Sequence, residues 1–351
     1  MNQLPTTRRS PIGLDIGSRY LKAAQCRGDR LEAALSMQRL KPGEPFDADE
    51  ATRLYDVLER RGFKGRAIVT TAPKARVLTS VLDMPPASSG APVAELARVE
   101  MARSHRFDAH TLEVAHWPLP GSARSEKGGP VMAAACQHEP ADEIIDVLEA
   151  AGFEVRGLDI DGWALTRLAQ GLLDELGPML AVVDLGYHAT SFLLVHHASL
   201  VYERVLGGMG LAAPIQKLQH EHNIDVDVLD YLFHHAGLSE PDDVEPGSAR
   251  LAAIVRGPLE THVAALAQEL RLALAYASHQ YPDAPLARIG LVGGGAEVPG
   301  LAERLASELE TDTAPLRPVD LLTIGPFAAQ AHHATLALAA GLALYPQEAL
   351  A

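Results

Sequence analysis

The sequence has little of several residue types, and each shortage excludes a class of protein. It contains two cysteines, Cys26 and Cys136, which show no metal-ligand spacing and are typical of buried thiols in a reducing compartment. Aromatic residues make up 5% of the chain, and no apolar run approaches the roughly 20 residues of a membrane-spanning helix. The net charge of −15 argues against nucleic-acid binding, since phosphate contacts need clustered lysine and arginine.

The termini and the common enzyme motifs add further exclusions. Residues 1–11 carry Arg8 and Arg9 but no apolar segment, so they predict no secretory signal. Neither a Gly-x-Ser-x-Gly elbow nor a dinucleotide fingerprint occurs. With 351 residues, 47% of them apolar, the chain can bury a large core in two lobes. We expect a cytoplasmic protein that reaches a membrane only through a partner.

One short pattern occurs twice, about half the chain apart. In the first copy an apolar run ends in Asp15, and Gly17, Ser18 and Lys22 follow. The pattern predicts a strand, a tight turn whose N–H groups can meet a phosphate, and a second strand. Ser18 adds a hydroxyl, Lys22 adds positive charge, and the carboxylate of Asp15 can hold Mg²⁺ through water. Alone, these residues also fit an ordinary hairpin.

The second copy makes a ligand site the favoured interpretation. Here an apolar run ends in Asp184, Gly186 follows, and Thr190 supplies a hydroxyl. Two such hairpins on opposing lobes can clamp a polyphosphate and one metal ion between Asp15 and Asp184. The alternative is that both are plain hairpins of a duplicated scaffold.

Two groups of glycines are candidates for contacts with a nucleoside. Gly293, Gly294 and Gly295 follow a predicted strand and remove side chains where a flat group such as a purine could lie against the backbone. Gly207 and Gly208 end another predicted strand and could do similar work near a ribose. The alternative for both groups is a glycine-rich connection without a ligand.

Composition and periodicity divide the chain into two α/β lobes. A cluster of Pro, Ser and Gly over residues 85–92 marks the start of an inserted α+β subdomain. In chain order, the expected segments are the first lobe (1–85), the inserted subdomain (86–158), the first lobe continued (159–178), the second lobe (179–210), a helical subdomain (211–280), the second lobe continued (281–330) and a C-terminal helix (331–351).

In this order, the motifs resemble the actin-like ATPase superfamily and, within it, the PilM type of type IV pilus assembly protein. The resemblance covers nearly the whole chain. Besides the hairpins and glycines, it rests on the segments 95–100, 133–137, 148–153, 159–165 and 291–301. It implies a bilobed fold of duplicated ribonuclease H-like domains, with a small α+β subdomain inserted in the first lobe and ATP and Mg²⁺ in the cleft.

The resemblance also implies a role for each candidate residue. Asp15 and Asp184 would organise Mg²⁺, the hairpin residues would hold phosphates, and the triple glycine would receive adenine. Gln137, which ends a strand between the subdomains, is a candidate for positioning the attacking water. Tyr187, directly after the second glycine, and Pro214 depart from the family's pattern. We therefore expect at most slow ATP hydrolysis, and a degenerate nucleotide binder is the alternative.

The partner implied by the resemblance is the short cytoplasmic N-terminal peptide of a PilN-type inner-membrane protein. We expect this peptide to dock between the first lobe and its insertion, and thereby to join the chain to the pilus motor and platform; the chain itself could form homo-oligomers. Two other functions fit the same fold. A small-molecule kinase would need a base such as Asp159 or Asp161, and a filament-forming protein of the FtsA type would need a cationic C-terminal helix, which residues 328–345 do not offer.

Overall fold

The computed structural model describes residues 8–120, 128–239 and 249–346. Its first lobe begins with an antiparallel meander, followed by a helix and a parallel strand. These elements are β1 (Ile12–Ile16), β2 (Tyr20–Arg27), β3 (Arg30–Gln38), α1 (Ala48–Arg60) and β4 (Ala67–Thr71). The register of β1 and β2 places Asp15 opposite Lys22, and β4 pairs with the other side of β1.

The inserted subdomain is a three-stranded antiparallel sheet covered by one helix. It consists of β5 (Leu78–Met84), α2 (Val93–His105), β6 (Leu112–Pro118) and β7 (Gly129–Gln137), with the strand order β5-β7-β6. We expected the subdomain to begin at residue 86, but β5 lies before that boundary and belongs to the subdomain's sheet. At the other end, α3 (His138–Ala150) and β8 (Glu154–Asp159) were expected inside 86–158, but β8 pairs with β4 in the first lobe.

The second lobe repeats the architecture of the first. After α4 (Asp161–Leu176) its elements are β9 (Met179–Leu185), β10 (Ala189–His196), β11 (Ser199–Gly207), α5 (Ala212–His222), α6 (Val226–His235), α7 (Ala249–Gln280), β12 (Leu286–Val292), α8 (Leu301–Leu309), β13 (Thr313–Pro315) and α9 (Pro318–Leu321). Its strand order is β11-β10-β9-β12-β13, and the corresponding order in the first lobe is β3-β2-β1-β4-β8. The internal duplication predicted from the sequence is therefore confirmed.

The end of the chain returns to the first lobe. β14 (Thr323–Phe327) pairs with β3 and becomes the sixth strand of the first sheet, although residues 281–330 were expected to belong to the second lobe. The helix α10 (Ala337–Ala343) then packs on β1, β2 and α4. The second lobe is thus joined to the first lobe at both of its ends.

The core of the second lobe lies around its central strands. β9 and β10 are buried on both faces, which explains their nearly continuous apolar sequence. The long helix α7 buries Leu259, Val263, Leu266 and Leu270 on the face predicted from their spacing. Within the described residues, no helix is long and apolar enough to span a bilayer.

Candidate nucleotide site

Parallel strands carry the candidate residues to one edge of each sheet. In the first lobe β1, β4 and β8 are parallel neighbours, so the residues at or just after their carboxyl ends meet. These residues are Asp15, Lys74 and Asp161. In the second lobe β9 and β12 are parallel and bring Asp184 beside Gly293. An ion pair between Lys74 and Asp184 joins the two edges across the interlobe cleft.

Lys74 lies between two carboxylates from different lobes. Its Nζ is 2.6 Å from Oδ2 of Asp184 and 3.1 Å from Oδ2 of Asp161. Burial raises the pKa of Asp161; Lys74 opposes this, and the negative charges of Asp184 and Asp15 add to it. Because Asp15 and Asp184 both act on Asp161, the three form one group, called here the cleft carboxylates. The two aspartates predicted from separate halves of the sequence thus both lie close enough to Asp161 to influence its pKa.

The first hairpin also holds a lysine on its aspartate. Nζ of Lys22 lies 2.9 Å from Oδ2 of Asp15, and both side chains are largely buried. The backbone N–H of Gly17 donates to the carbonyl of Tyr20 (3.0 Å), and a Cβ on Gly17 would lie 2.8 Å from that oxygen. The hairpin itself therefore requires Gly17, with or without a ligand.

The second hairpin is built in the same way. The N–H of Gly186 donates to the carbonyl of Ala189 at 3.2 Å. Oγ1 of Thr190 is buried and donates to the carbonyl of Met209 at 2.7 Å, so its proton is already used and ties the hairpin to the turn after β11. Among the described residues, backbone hydrogen bonds employ neither the N–H of Ser18 nor that of Tyr187. In each hairpin the residue after the glycine therefore has the N–H that can meet a phosphate.

The triple glycine lies directly against the second aspartate. A Cβ on Gly293 would lie 2.5 Å from Oδ1 of Asp184, and one on Gly295 would lie 2.6 Å from Cβ of Leu185. These two glycines are required by the fold. Gly294 differs, since the nearest atom to its added Cβ would be Nε2 of His234 at 3.9 Å. The glycine at 294 leaves space that the fold does not fill.

The turn after β11 is open as well. An added Cβ would meet nothing within 4 Å at Gly207 or at Gly208. The backbone of Gly208 has a φ of +76°, which favours glycine, whereas Gly207 has no such requirement. The following residues bond to the second hairpin, because the N–H of Leu211 donates to the carbonyl of Gly186. The predicted ribose region is thus adjacent to the predicted phosphate region.

Arg19 forms a second contact between the lobes that the sequence did not predict. From the tip of the first hairpin, its guanidinium lies 2.5 Å from Asp227 and 3.6 Å from Asp230, both on α6. It also stands over the ring of Tyr187, with 5.1 Å between Cζ and the ring centroid. Since the partners lie more than 150 residues away in sequence, no local pattern could have found this contact.

The other candidates for chemistry lie outside this contact network or are already paired. Gln137 ends β7 opposite Leu112, and within the described residues no hydrogen bond joins its side chain to the cleft carboxylates. Asp159 is bonded to Arg167 and to the N–H of Ile160. The pairing of Asp159 with arginine, and of Asp161 with lysine, gives no support to either as the base of a kinase.

A small cavity adjoins Lys74 on the side of the inserted subdomain. Its volume is about 40 Å³, and it is lined by Lys74, Val77, Thr79, Ile160, Asp161, Glu203 and Val205. Burial, with Asp161 adding, raises the pKa of Glu203 to about 7. Oε2 of Glu203 is buried without a hydrogen-bond partner among the described residues. The cavity has room for a few water molecules and not for a triphosphate.

The donor set decides how a divalent ion could be held. Within the described residues, no three His, Cys, Asp or Glu side chains are arranged to bind a metal directly. Asp15 and Asp184 nevertheless both lie close enough to Asp161 to raise its pKa. Mg²⁺ keeps several of its waters and needs only one or two carboxylates. The residues therefore fit an ion held mainly through water by Asp15 and Asp184, and do not fit a closed protein cage.

Comparison with known proteins now decides the family. The sequence model of the family described as type IV pilus assembly protein PilM matches residues 47–347. The chain belongs to the PilM family. This PilM-family protein is similar to a chain of the solved PilM–PilN type IV pilus biogenesis complex, with 23% identity over 95% of this chain and 98% of that one, and a TM-score of 0.77.

A second solved structure shows the same fold at a greater distance. The ethanolamine utilization protein EutJ from Carboxydothermus hydrogenoformans is 15% identical, with 98% of this chain and 92% of that chain covered and a TM-score of 0.55. Together with the two lobes of matching strand order, these likenesses establish the predicted actin-like ATPase fold.

Proposed function

We propose that this PilM-family protein is a nucleotide-binding scaffold of type IV pilus assembly, with Mg²⁺-ATP in the interlobe cleft. The observation that carries the proposal is the cluster around Lys74, whose ammonium group bridges Asp161 of the first lobe and Asp184 of the second, with Asp15 close enough to Asp161 to raise its pKa. In the hairpin that follows each aspartate, one N–H donates to no backbone carbonyl of the described residues. A polyphosphate with its metal is the ligand that needs both features.

The proposed roles follow from these surroundings. Asp15 and Asp184 would hold Mg²⁺ through its waters, and the turns at Ser18 and Tyr187 would hold phosphate oxygens with their N–H groups. Lys22 would add positive charge beside the first turn. When bound, the metal would neutralise phosphate charge, and the protein's part is to fix the two lobes around it.

The nucleoside would lie along the open glycines. Gly294 and Gly207 face space that the fold leaves unfilled, so they are the glycines to which adenine and ribose can approach. Gly293, Gly295 and Gly186 act indirectly by letting the backbone approach its neighbours. Gln137 remains only a candidate for orienting water, and hydrolysis is proposed to be slow at most.

Calorimetric titration with Mg²⁺-ATP tests the site. We expect Asp15→Ala and, separately, Asp184→Ala to weaken binding more than tenfold, since each removes one of the two carboxylates available to the metal. Asp312→Ala is the matched control, because Asp312 is an exposed aspartate in an ion pair with Arg288 (2.7 Å) outside the cleft. Unchanged affinity in both cleft variants would remove the assigned site.

We propose further that the inserted subdomain receives the cytoplasmic N-terminal peptide of a PilN-type protein, which would hold the chain at the inner membrane. Two observations support this. The similar solved chain comes from a PilM–PilN complex. In addition, the subdomain exposes four large apolar side chains, which are Val81, Leu96, Val99 and Phe107. Leu96 and Val99 are three residues apart on α2 and therefore lie on one face of the helix, and such neighbouring exposed apolar groups are typical of a protein interface.

Fluorescence anisotropy with a labelled PilN-type peptide tests this second part. Val99, on α2, is 51% exposed, so Val99→Asp should leave the fold intact and weaken peptide binding by about tenfold or more through burial of a charge. Leu272→Asp on α7 is the control, since Leu272 is similarly exposed (61%) on the other lobe. Equal binding by both variants and the wild type would place the peptide elsewhere.

A further inference from the structure

The ammonium group of Lys74 occupies a position that a metal ion would have to share. It bonds at 2.6 Å to the same carboxylate, Asp184, that is proposed to hold Mg²⁺, and at 3.1 Å to Asp161. An ammonium group is a compact positive charge with three donors, and two of them are accounted for by these oxygens. Any cation that approaches Asp184 therefore meets a positive charge already in contact with it.

We propose that Lys74 is an internal cation of the cleft that competes with divalent metal for Asp184. This inference rests on the proposed function in one respect, namely that Asp184 is a metal carboxylate. Lys74 neutralises Asp184 when no ion is bound and must release it when one arrives. The lysine thereby sets how strongly nucleotide binding depends on Mg²⁺.

The surroundings of Lys74 allow this exchange. The residue begins a three-residue turn, Lys74–Arg76, between β4 and β5, and 34% of its side chain is exposed. Its long flexible stem can move the charge without moving the backbone. Asp161 is a second partner on the first lobe, so the ammonium group can leave Asp184 and still keep one ion pair.

The two ion pairs of Lys74 also differ in what they connect. The pair with Asp161 lies within the first lobe, whereas the pair with Asp184 crosses the cleft. Displacement of the ammonium group by a metal ion would replace a protein contact between the lobes with one made through the ligand. The second lysine of the site, Lys22, pairs with Asp15 inside a single hairpin and makes no such crossing.

Titration of the nucleotide-free protein with Mn²⁺, followed by electron paramagnetic resonance, tests the competition. Lys74→Met keeps the length of the side chain and removes its charge, and we expect it to bind Mn²⁺ at least about tenfold more tightly than the wild type. Lys74→Arg keeps a positive charge and should stay within about threefold of the wild type. The proposal would be overturned if Lys74→Met bound Mn²⁺ no more tightly than the wild type. It would also be overturned if Lys74→Arg bound Mn²⁺ as tightly as Lys74→Met.

The matched control is Lys41→Met. Lys41 forms an ion pair with Asp47 at 2.5 Å on an exposed part of the first lobe, so the same substitution there should leave Mn²⁺ binding unchanged. A gain in Lys41→Met equal to that in Lys74→Met would show a general effect of net charge and would overturn the proposal. Native folding of each variant is checked by the emission of Trp117 and Trp163, the chain's two tryptophans, which pack 5.3 Å apart.

A measurement on the unmodified cleft covers the case in which the neutral variant does not fold. In wild-type protein labelled at the ε-carbon of lysine, the Lys74 signal is assigned by its loss in Lys74→Arg. We expect saturating Mg²⁺ to shift this signal and to leave that of Lys41 in place; an unmoved Lys74 signal would overturn the proposal. Neither experiment contains nucleotide, so failure of ATP binding in calorimetry is a separate result.

Discussion

At the scale of single residues, the buried carboxyl group of Glu203 predicts that the stability of the protein depends on pH. Its folded pKa of about 7, raised from 4.5 by burial and then by Asp161, means that the folded protein holds this proton more tightly than the unfolded chain. Because of Glu203, the free energy of unfolding therefore falls progressively as pH rises from about 4.5 to about 7. The free energy of unfolding of Glu203→Gln, relative to that of the wild type, should therefore be higher at pH 8 than at pH 5, by at most about 3 kcal/mol.

Urea unfolding of both proteins at the two pH values measures this gain. Glutamine has nearly the same shape, so the comparison isolates the ionisation of one carboxyl. A difference in unfolding free energy that is the same at pH 5 and pH 8 would contradict the assigned environment of Glu203.

The residues of the site differ in how far the sequence could reveal them. Asp15 and Asp184 were predictable because an apolar run, an acidic residue and a glycine turn are a local pattern. Lys74 follows an ordinary Ala-Pro pair, and its position depends on β4 being parallel to β1. That topology, had it been inferred, would have pointed to the residues after Thr71. The roles of Glu203 and Arg19 arise from contacts between the lobes, and no local sequence pattern marks either residue.

At the scale of elements, the sequence predicted strands better than it predicted the sheets they join. The segment 77–82 before Pro85 and Pro86 predicts the strand β5, but a single strand of this kind fits either the first lobe's sheet or the subdomain's. β14 was missed because it is short and pairs with β3, almost 300 residues away in the chain. Pairing partners are set by tertiary contacts that local periodicity does not contain.

The contact between α10 and α4 makes a prediction at this scale. A Cβ on Gly341 would lie 2.1 Å from the backbone oxygen of Ala164, so the helices can approach only with glycine at this position. We expect Gly341→Ala to lower the free energy of unfolding by about 1–3 kcal/mol or more, since overpacking forces the helices apart. Thermal unfolding should show a lower melting temperature.

The same substitution on α4 offers the control. Gly171 is exposed, and an added Cβ would meet nothing within 4 Å. Gly171→Ala should therefore raise stability by about 0.5–1 kcal/mol, as alanine favours a helix more than glycine does. Should Gly341→Ala also stabilise the protein, the close approach of the two helices would be refuted.

At the scale of the whole molecule, the subdomain is fixed to both lobes. Nε1 of Trp117, on β6, donates to the carbonyl of Leu200 in the second lobe at 2.7 Å, and its ring packs against Trp163 on α4. Arg19 and Lys74 cross the cleft at two other points. A ligand in the cleft, as proposed, would lie between two lobes that both contact the subdomain, where the partner peptide is proposed to dock.

The proposed function requires above all that the two lobes bind the same ligand. A double-mutant cycle measures it directly, with Mg²⁺-ATP titrated into wild type, Asp15→Ala, Asp184→Ala and the double variant. Once one carboxylate and its hold on the metal are lost, the second has less to lose, so the double variant should bind about as weakly as the weaker single variant. Losses that multiply in full would show that the two aspartates act at independent sites and would contradict the account.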